Sequence, residues 1–305
     1  MRRLLLLTLA AAPLAACANQ EIPLSIKDLE EARALAAEER WNEVDALLRD
    51  FQVRDFDLAT QRDFNLLAAR AADEEGDWSR AVRYYEAFVL QAGPADEALV
   101  VERRLLELGR QLLAGELRVF WIFPDRSRGI LVLENLGFAG RFAETRALSL
   151  AELGAYRWEN GRWGEAADYY AALLAPELAG QGWDDLAAFR LAMATFRTLE
   201  DDRTYYSGIL ETLDQLQAYL DAYPTGLHRI EAEQAHAQTR ELLARHHLQV
   251  GNYYERIGND DGARYHWRMA AGEAPDGSTV IATLVRGTDS AREASERLAS
   301  GMASS

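Results

Sequence analysis

Cysteine is almost absent from this chain: Cys17 stands alone among 305 residues. A disulfide framework and a thiolate metal site are therefore excluded, since each needs several cysteines. Proline is scarce as well, seven in all, so little interrupts helix formation. Basic residues are outnumbered, 33 Lys and Arg against 49 acids, for a formal net charge of −16. Such a surface repels phosphate backbones and argues against nucleic-acid binding. No apolar run reaches the ~20 residues that a bilayer-spanning helix requires. Catalytic signatures are missing too. The histidines His228, His236, His246, His247 and His266 form no HExxH pair, and neither a Gly-rich phosphate loop nor a GxSxG is present. His247 falls where a side chain packs inside a helix pair. The acidic pairs Asp184/Asp185, Asp201/Asp202 and Asp260/Asp261 sit beside Gly, Asn or Arg, where aspartate caps helices and stabilises turns. The expectation is a protein that is not an enzyme and binds neither a metal nor a dissociable cofactor.

What is present begins at the first residue. Arg2 and Arg3 precede the apolar stretch Leu4 to Ala12, and small residues follow at Ala15 and Ala16, which is the layout of a secretory signal. The next four residues, Leu14-Ala15-Ala16-Cys17, resemble the lipobox of bacterial lipoproteins. That resemblance implies removal of residues 1–16, diacylglycerol on the Cys17 thiol and an acyl group on the new amine. The alternative is an ordinary signal peptide cut after an Ala-x-Ala site. Two or three acyl chains meet the requirement that stable anchoring take at least two membrane signals. Ala18, where such lipoproteins carry Asp for inner-membrane retention, implies an outer-membrane location facing the periplasm. Residues 17–26 read as a lipidated linker. Loss of residues 1–16 removes two arginines and no acids, leaving a formal charge of −18, so the lipid rather than a basic patch would hold the protein at the membrane.

Beyond the linker, apolar residues recur at i, i+3, i+4 and i+7 with acids and arginines between them, which is helical periodicity. Only "ELRVFWIFP" (Glu116 to Pro124) and "STVIATLVR" (Ser278 to Arg286) read as strand candidates. The expected fold is all-α. Three stretches repeat a pattern: a Gly, an Ala five residues later and an aromatic four residues after that. The sets are Gly76, Ala81, Tyr85; Gly161, Ala166, Tyr170; and Gly258, Ala263, Trp267, and a small residue stands twelve positions before each Ala (Ala69, Gly154, Gly251). Small residues let two helices approach, the Gly ends the first, and the aromatic fills the joint with the next pair. This resembles the tetratricopeptide repeat, a helix–turn–helix unit. A weaker copy keeps Ala32 and Trp41 but has Val44 in place of the Ala. About five or six units are expected in one right-handed α-solenoid over residues 27–287, with 288–305 a frayed or capping tail.

Solenoids bind partners along the concave face built from first helices. The repeat register places Arg70, Glu74, Trp158, Glu159, Asn252, Glu255 and Arg256 there. A second candidate is the run Phe120, Trp121, Ile122, Phe123. It is either a plug buried between repeats, the favoured reading, or an exposed edge in which Trp121 and Phe123 meet a partner or the membrane.

The second half carries a closer resemblance. Asp202-Arg203-Thr204, Tyr223-Pro224, Arg240, Leu243-Ala244, Val250, Tyr253-Tyr254, Gly258 and Ala263 resemble the pattern of the BamD (YfiO-type) lipoproteins. The resemblance covers Cys17 and roughly residues 201–275, and the first half only loosely. It implies a component of the β-barrel assembly machinery whose partners are the barrel-forming subunit, other assembly lipoproteins and unfolded outer-membrane proteins. A repeat lipoprotein of cell-envelope maintenance or peptidoglycan coordination shares the same anchor and fold.

Overall fold

The computed structural model describes residues 22–23, 25–49, 51–52, 56–91, 93–119, 122–201, 206–277 and 279–302. The signal segment 1–16, Cys17, Phe120, Trp121 and the stretch Asp202-Arg203-Thr204 lie outside them. The protein is all-α, and the chain divides into two compact units, one up to Pro94 and one from Ala95 onward.

The first unit holds α1 (Ile26–Ala37), α2 (Trp41–Leu48), α3 (Leu58–Glu74) and α4 (Trp78–Val89). Residues Ile22–Pro23 (β1) pair in parallel with Phe51–Gln52 (β2). The core gathers Leu29, Ala32, Val44, Leu48, Phe64, Ala68 and Ala71. Asp45 is buried beside it, bonded to Arg49 and to Arg80 at 2.7 Å. Burial pushes its carboxyl up, but hydrogen bonds from Arg80 and Arg49 prevail and hold it below the ordinary value. An isolated buried carboxylate would be far more costly.

The second unit holds α5 (Ala95–Ala114), α6 (Arg126–Ala139), α7 (Ala143–Glu159), α8 (Trp163–Leu173), α9 (Asp184–Asp201), α10 (Tyr206–Ala222), α11 (Arg229–Arg256), α12 (Asp260–Ala270), α13 (Thr279–Val285) and α14 (Asp289–Met302). Successive helices from α5 to α12 pack against one another, and α14 packs on α11 and α12. Within the segment expected as a second strand, Thr279–Val285 is instead α13. Its apolar residues sit at helical spacing, with Ala282 and Val285 buried against α11 and α12. The other strand candidate forms a small hairpin, Arg118–Val119 (β3) antiparallel to Phe123–Pro124 (β4).

One joint recurs. Helices α3, α7 and α11 each end in a left-handed glycine, Gly76 (φ 76°), Gly161 (φ 70°) and Gly258 (φ 74°). The residue after each glycine donates its N–H five residues back: Asp77 to Ala72 at 2.8 Å, Arg162 to Arg157 at 2.9 Å and Asn259 to Tyr254 at 2.9 Å. These are Schellman closures, which satisfy carbonyls that the helix end leaves open. Past the turn, Ala81, Ala166 and Ala263 are buried against the preceding helix, and Tyr85, Tyr170 and Trp267 are buried one turn further on. A Cβ on Gly154 would lie 3.0 Å from the Tyr170 ring, and one on Gly251 would lie 2.4 Å from Trp267. Glycine is what allows these rings to lie across the first helix.

The same joint occurs twice more in altered form. Between α1 and α2, Arg40 N–H reaches Leu35 at 3.0 Å, but the left-handed residue is Glu39 (φ 58°). Val44 and Leu48 fill the positions of the Ala and the aromatic. Between α5 and α6, Gly115 (φ 81°) closes the helix with Glu116 N–H on Gln111 at 2.9 Å. Gly109, Gly129 and Leu133 then form the close contact, with a Cβ on Gly109 lying 2.7 Å from Leu133. Gly109 and Gly129 stand twenty residues apart where Ala69 and Ala81 stand twelve. The β3–β4 hairpin is thus an insertion into the turn of a helix pair.

Candidate functional site

Four first helices of the second unit run in a row. Arg103 and Arg110 of α5 pair with Glu144 (2.9 Å) and Glu152 (2.7 Å) of α7. Trp158 of α7 packs against the core cluster that α9 supplies and lies under Arg190 of that helix, and α9 packs against α11. The seams between these helices are open in two places. Between α5 and α7 a cleft of about 190 Å³ is lined by Arg110, Leu113, Glu152, Tyr156 and Glu159. Between α9 and α11 lie clefts of about 290 and 480 Å³ that share Phe196 and Gln238. Phe196 is buried at the floor of both, joined by Met193 and Ala235 in the smaller and by Leu242 in the larger, while Glu231, Gln234, Gln238 and Arg245 are exposed at the rim.

The far wall of the larger cleft is held by two neighbouring residues of α11. Arg240 donates to the carbonyls of Leu284 (2.5 Å) and Arg286 (2.7 Å) at the end of α13. Glu241 accepts from the N–H groups of Asp289 (3.0 Å) and Ser290 (3.3 Å) and from the Ser290 hydroxyl (2.5 Å) at the start of α14. A cation at a helix C-terminus and an anion at a helix N-terminus both oppose the local dipole. Partial burial pushes the Glu241 carboxyl up, but the Ser290 hydrogen bonds prevail and hold it below its usual value.

The residues that the repeat register assigned to the groove fall into separate settings. Glu159 lines the α5–α7 cleft. Trp158 is half-buried in the α7–α9 seam, edge-on to Trp163 with ring centroids 4.9 Å apart and under the Arg190 guanidinium at 4.3 Å. The indole fastens one pair to the next. Asn252 turns inward, its Oδ1 accepting from Trp267 Nε1 at 2.9 Å. Glu255 pairs with Arg297 of α14 at 3.6 Å, and Arg256 is exposed at the end of α11. Arg70 and Glu74 are exposed one turn apart on α3, in the first unit. The favoured burial of the Phe120–Phe123 run is corrected: Ile122 and Phe123 are each 65% exposed. The insertion lengthens the turn and carries them away from the α5–α6 contact that would have covered them. Trp121 is outside the described residues.

The histidines cluster. His247 of α11 is buried, and its Nδ1 lies 3.2 Å from Nδ1 of His266 on α12. Tyr206, His246, Tyr254 and Tyr265 surround the pair, and Asp276 accepts from the Tyr265 hydroxyl at 3.0 Å. Burial, followed by the neighbouring His266 and His246, pushes His247 down to about 4. Among the described residues no group of three or more His, Cys, Asp or Glu has metal-binding geometry. Of the acidic pairs, Asp185 accepts from the Tyr219 hydroxyl at 2.8 Å and from Leu227 N–H at 3.1 Å, which is a turn-stabilising role. The sequence reading missed the α9–α11 clefts. The signal was there in the small and amide residues of α11 at i and i+4, Gln234 and Gln238, with Phe196 facing them across the seam.

No protein-family model matches the chain, and no curated protein is significantly similar to it.

Proposed function

We propose that this protein is a lipid-anchored, periplasm-facing scaffold of the outer membrane, binding other proteins during the assembly of β-barrel outer-membrane proteins. The observation that carries the reading is the row of first helices α5, α7, α9 and α11, whose seams open into clefts with an apolar floor and an amide and charged rim. Such a surface suits an extended or helical protein segment, which offers apolar side chains and backbone polar groups together. The lipobox ending at Cys17 and the BamD-like run from Tyr223-Pro224 to Ala263 support it from the sequence. In this reading Cys17 carries the lipid, and the helix pairs continue as a right-handed solenoid. The partners are the barrel-forming assembly subunit, other assembly lipoproteins and unfolded barrel chains. The protein itself performs no chemistry.

The test is purification from native membranes in mild detergent, with co-purifying proteins identified by mass spectrometry. Recovery of a large outer-membrane barrel protein with periplasmic repeat domains is the expected result. Recovery of peptidoglycan-linked or Tol-type proteins in its place would overturn the assembly role and assign the protein to envelope maintenance.

A further inference from the structure

Only four residues, Ala18 to Glu21, separate Cys17 from β1. Fully extended, the chain from Cys17 to Ile22 spans at most about 17 Å. With a lipid on Cys17, the bilayer surface therefore lies within that reach of β1. The register of the helices shows which end of the first unit this is. β1 leads into α1, and α2 returns along α1 to reach β2, its partner strand. The chain reverses again into α3, so α1 and α3 run one way and α2 and α4 the other. Arg33 of α1 pairs with Asp63 of α3 at 2.5 Å, which sets Ile26 level with the residues just ahead of α3. From the turn at Gly76, α4 runs back along α3 until Asn65 Nδ2 donates to Gln91 Oε1 at 3.5 Å. The start of α1, the start of α3 and the end of α4 thus share the end at which the tether arrives.

The same end collects the apolar residues that the unit leaves in water. Among its described residues the exposed large apolar side chains are Ile26 (63%), Leu58 (71%) and Leu90 (85%), and none of them joins the core cluster. A single exposed apolar residue is ordinary, but all three lie at the tethered end. Charge divides the unit the same way. The turns at the opposite end hold three acids in residues 38–43 and four in residues 73–80, against Arg40 and Arg80. At the tethered end, among the described helix termini, the exposed Lys27 and Arg49 stand against Asp28 and Asp57. Both of those acids are engaged as caps, with Asp28 accepting from Ser25 N–H and Asp57 from Thr60 N–H, each at 2.9 Å. An anionic headgroup layer repels the acidic end and leaves the apolar one free to approach. Three side chains would not hold a protein on a bilayer from solution. A short tether raises their effective concentration at the surface, so a weak contact is enough to orient the unit.

We infer that the first unit stands end-on to the bilayer, with Ile26, Leu58 and Leu90 meeting the lipid surface beside the anchor. This footing rests on the lipid proposed for Cys17, and the two are tested apart. The full chain, purified from membranes and reconstituted in phosphatidylethanolamine–phosphatidylglycerol vesicles, is labelled with an environment-sensitive fluorophore at Ile26→Cys, Leu58→Cys or Leu90→Cys. Glu75→Cys, exposed at the far turn and about 25 Å away along the 17 residues of α3, is the control. The unsubstituted chain takes up no label where lipid blocks Cys17; uptake would overturn the anchor and the footing with it. With Cys17 blocked, nitroxide lipids should quench each near-end label several-fold more than the label at position 75. Three separate positions guard against a folding defect at any one. Equal quenching at the two ends, or a water-like spectrum at all three near-end positions, overturns the inference and leaves the anchor standing. Ile26→Glu plus Leu58→Glu should weaken quenching of the label at position 90 while the chain stays on the vesicles. Unchanged quenching there would reduce the footing to the tether alone and overturn the side-chain contact.

Discussion

Glu39 occupies a backbone conformation that other joints in this chain give to glycine. Its φ of 58° sits where Gly76, Gly161 and Gly258 end their helices, and its side chain is exposed. The left-handed region costs an L-residue with a Cβ roughly 1–2 kcal/mol, and glycine returns part of that gain as unfolded-chain entropy. Glu39→Gly is therefore expected to stabilise the first unit by about 0.5–1 kcal/mol, read as a higher midpoint in urea denaturation. Gly251 poses the opposite case. A Cβ there would meet Trp267 at 2.4 Å and its indole nitrogen at 2.6 Å, while that nitrogen is held by Asn252. The ring cannot retreat without losing its hydrogen bond. Gly251→Ala should destabilise the α11–α12 joint by about 1–3 kcal/mol, and an unchanged thermal midpoint would show that the joint is looser than its geometry.

At the scale of the element, the α11–α12 pair contains a pH dependence of calculable sign. His247 has an ordinary value of 6.5 and a folded value of about 4, so the unfolded chain binds a proton first as the pH falls. Stability is complete above the unfolded value and is lost as pH drops from about 6.5 toward 4, at about 1.4 kcal/mol per unit. The groups around it are Tyr206, His246, Tyr254, Tyr265, His266 and Asp276, and its Nε2 is buried without a hydrogen-bond partner. His247→Phe keeps the ring and removes the proton site, so its melting temperature should fall less between about pH 7 and pH 5 than that of the unsubstituted protein. The N-terminus of α14 is held by Glu241. Glu241→Ala should release the amide protons of Asp289 and Ser290 to faster hydrogen exchange, leaving α5–α10 protected. Much of this element-level order was legible in the sequence. The Gly–Ala–aromatic sets fell on real joints because each residue type meets one steric need there. The α5–α6 joint fell outside the Gly–Ala–aromatic sets because an insertion moved Gly129 out of register and Leu133 replaced the aromatic, although the stretch from Gly129 to Leu148 does read as a second helix leading into the next first helix. The helix α13 was misread because Thr279-Val280-Ile281 is β-branched, and packing on α11 outweighs that propensity.

For the whole molecule, the proposed scaffold separates attachment from recognition, and the two can be uncoupled. Attachment would rest on Cys17, at the start of the mature chain. Recognition would rest on the clefts of α9 and α11, whose floor of Phe196 and Ala235 and rim of Gln234 and Gln238 lie in the second unit. Gln238 is exposed and lines both clefts, so Gln238→Trp places an indole across the opening without disturbing a buried contact. Cys17→Ser should leave the protein in the soluble periplasmic fraction and still capable of capturing its partner when mixed with detergent-solubilised membranes. Gln238→Trp should give the reverse, a protein that remains with the membrane, melts at an unchanged temperature and no longer co-purifies its partner. Continued membrane association of Cys17→Ser would refute the anchor. Continued co-purification by Gln238→Trp would move the docking face off these clefts, with the exposed rim of the α5–α7 cleft at Glu159 the next surface to block by the same substitution.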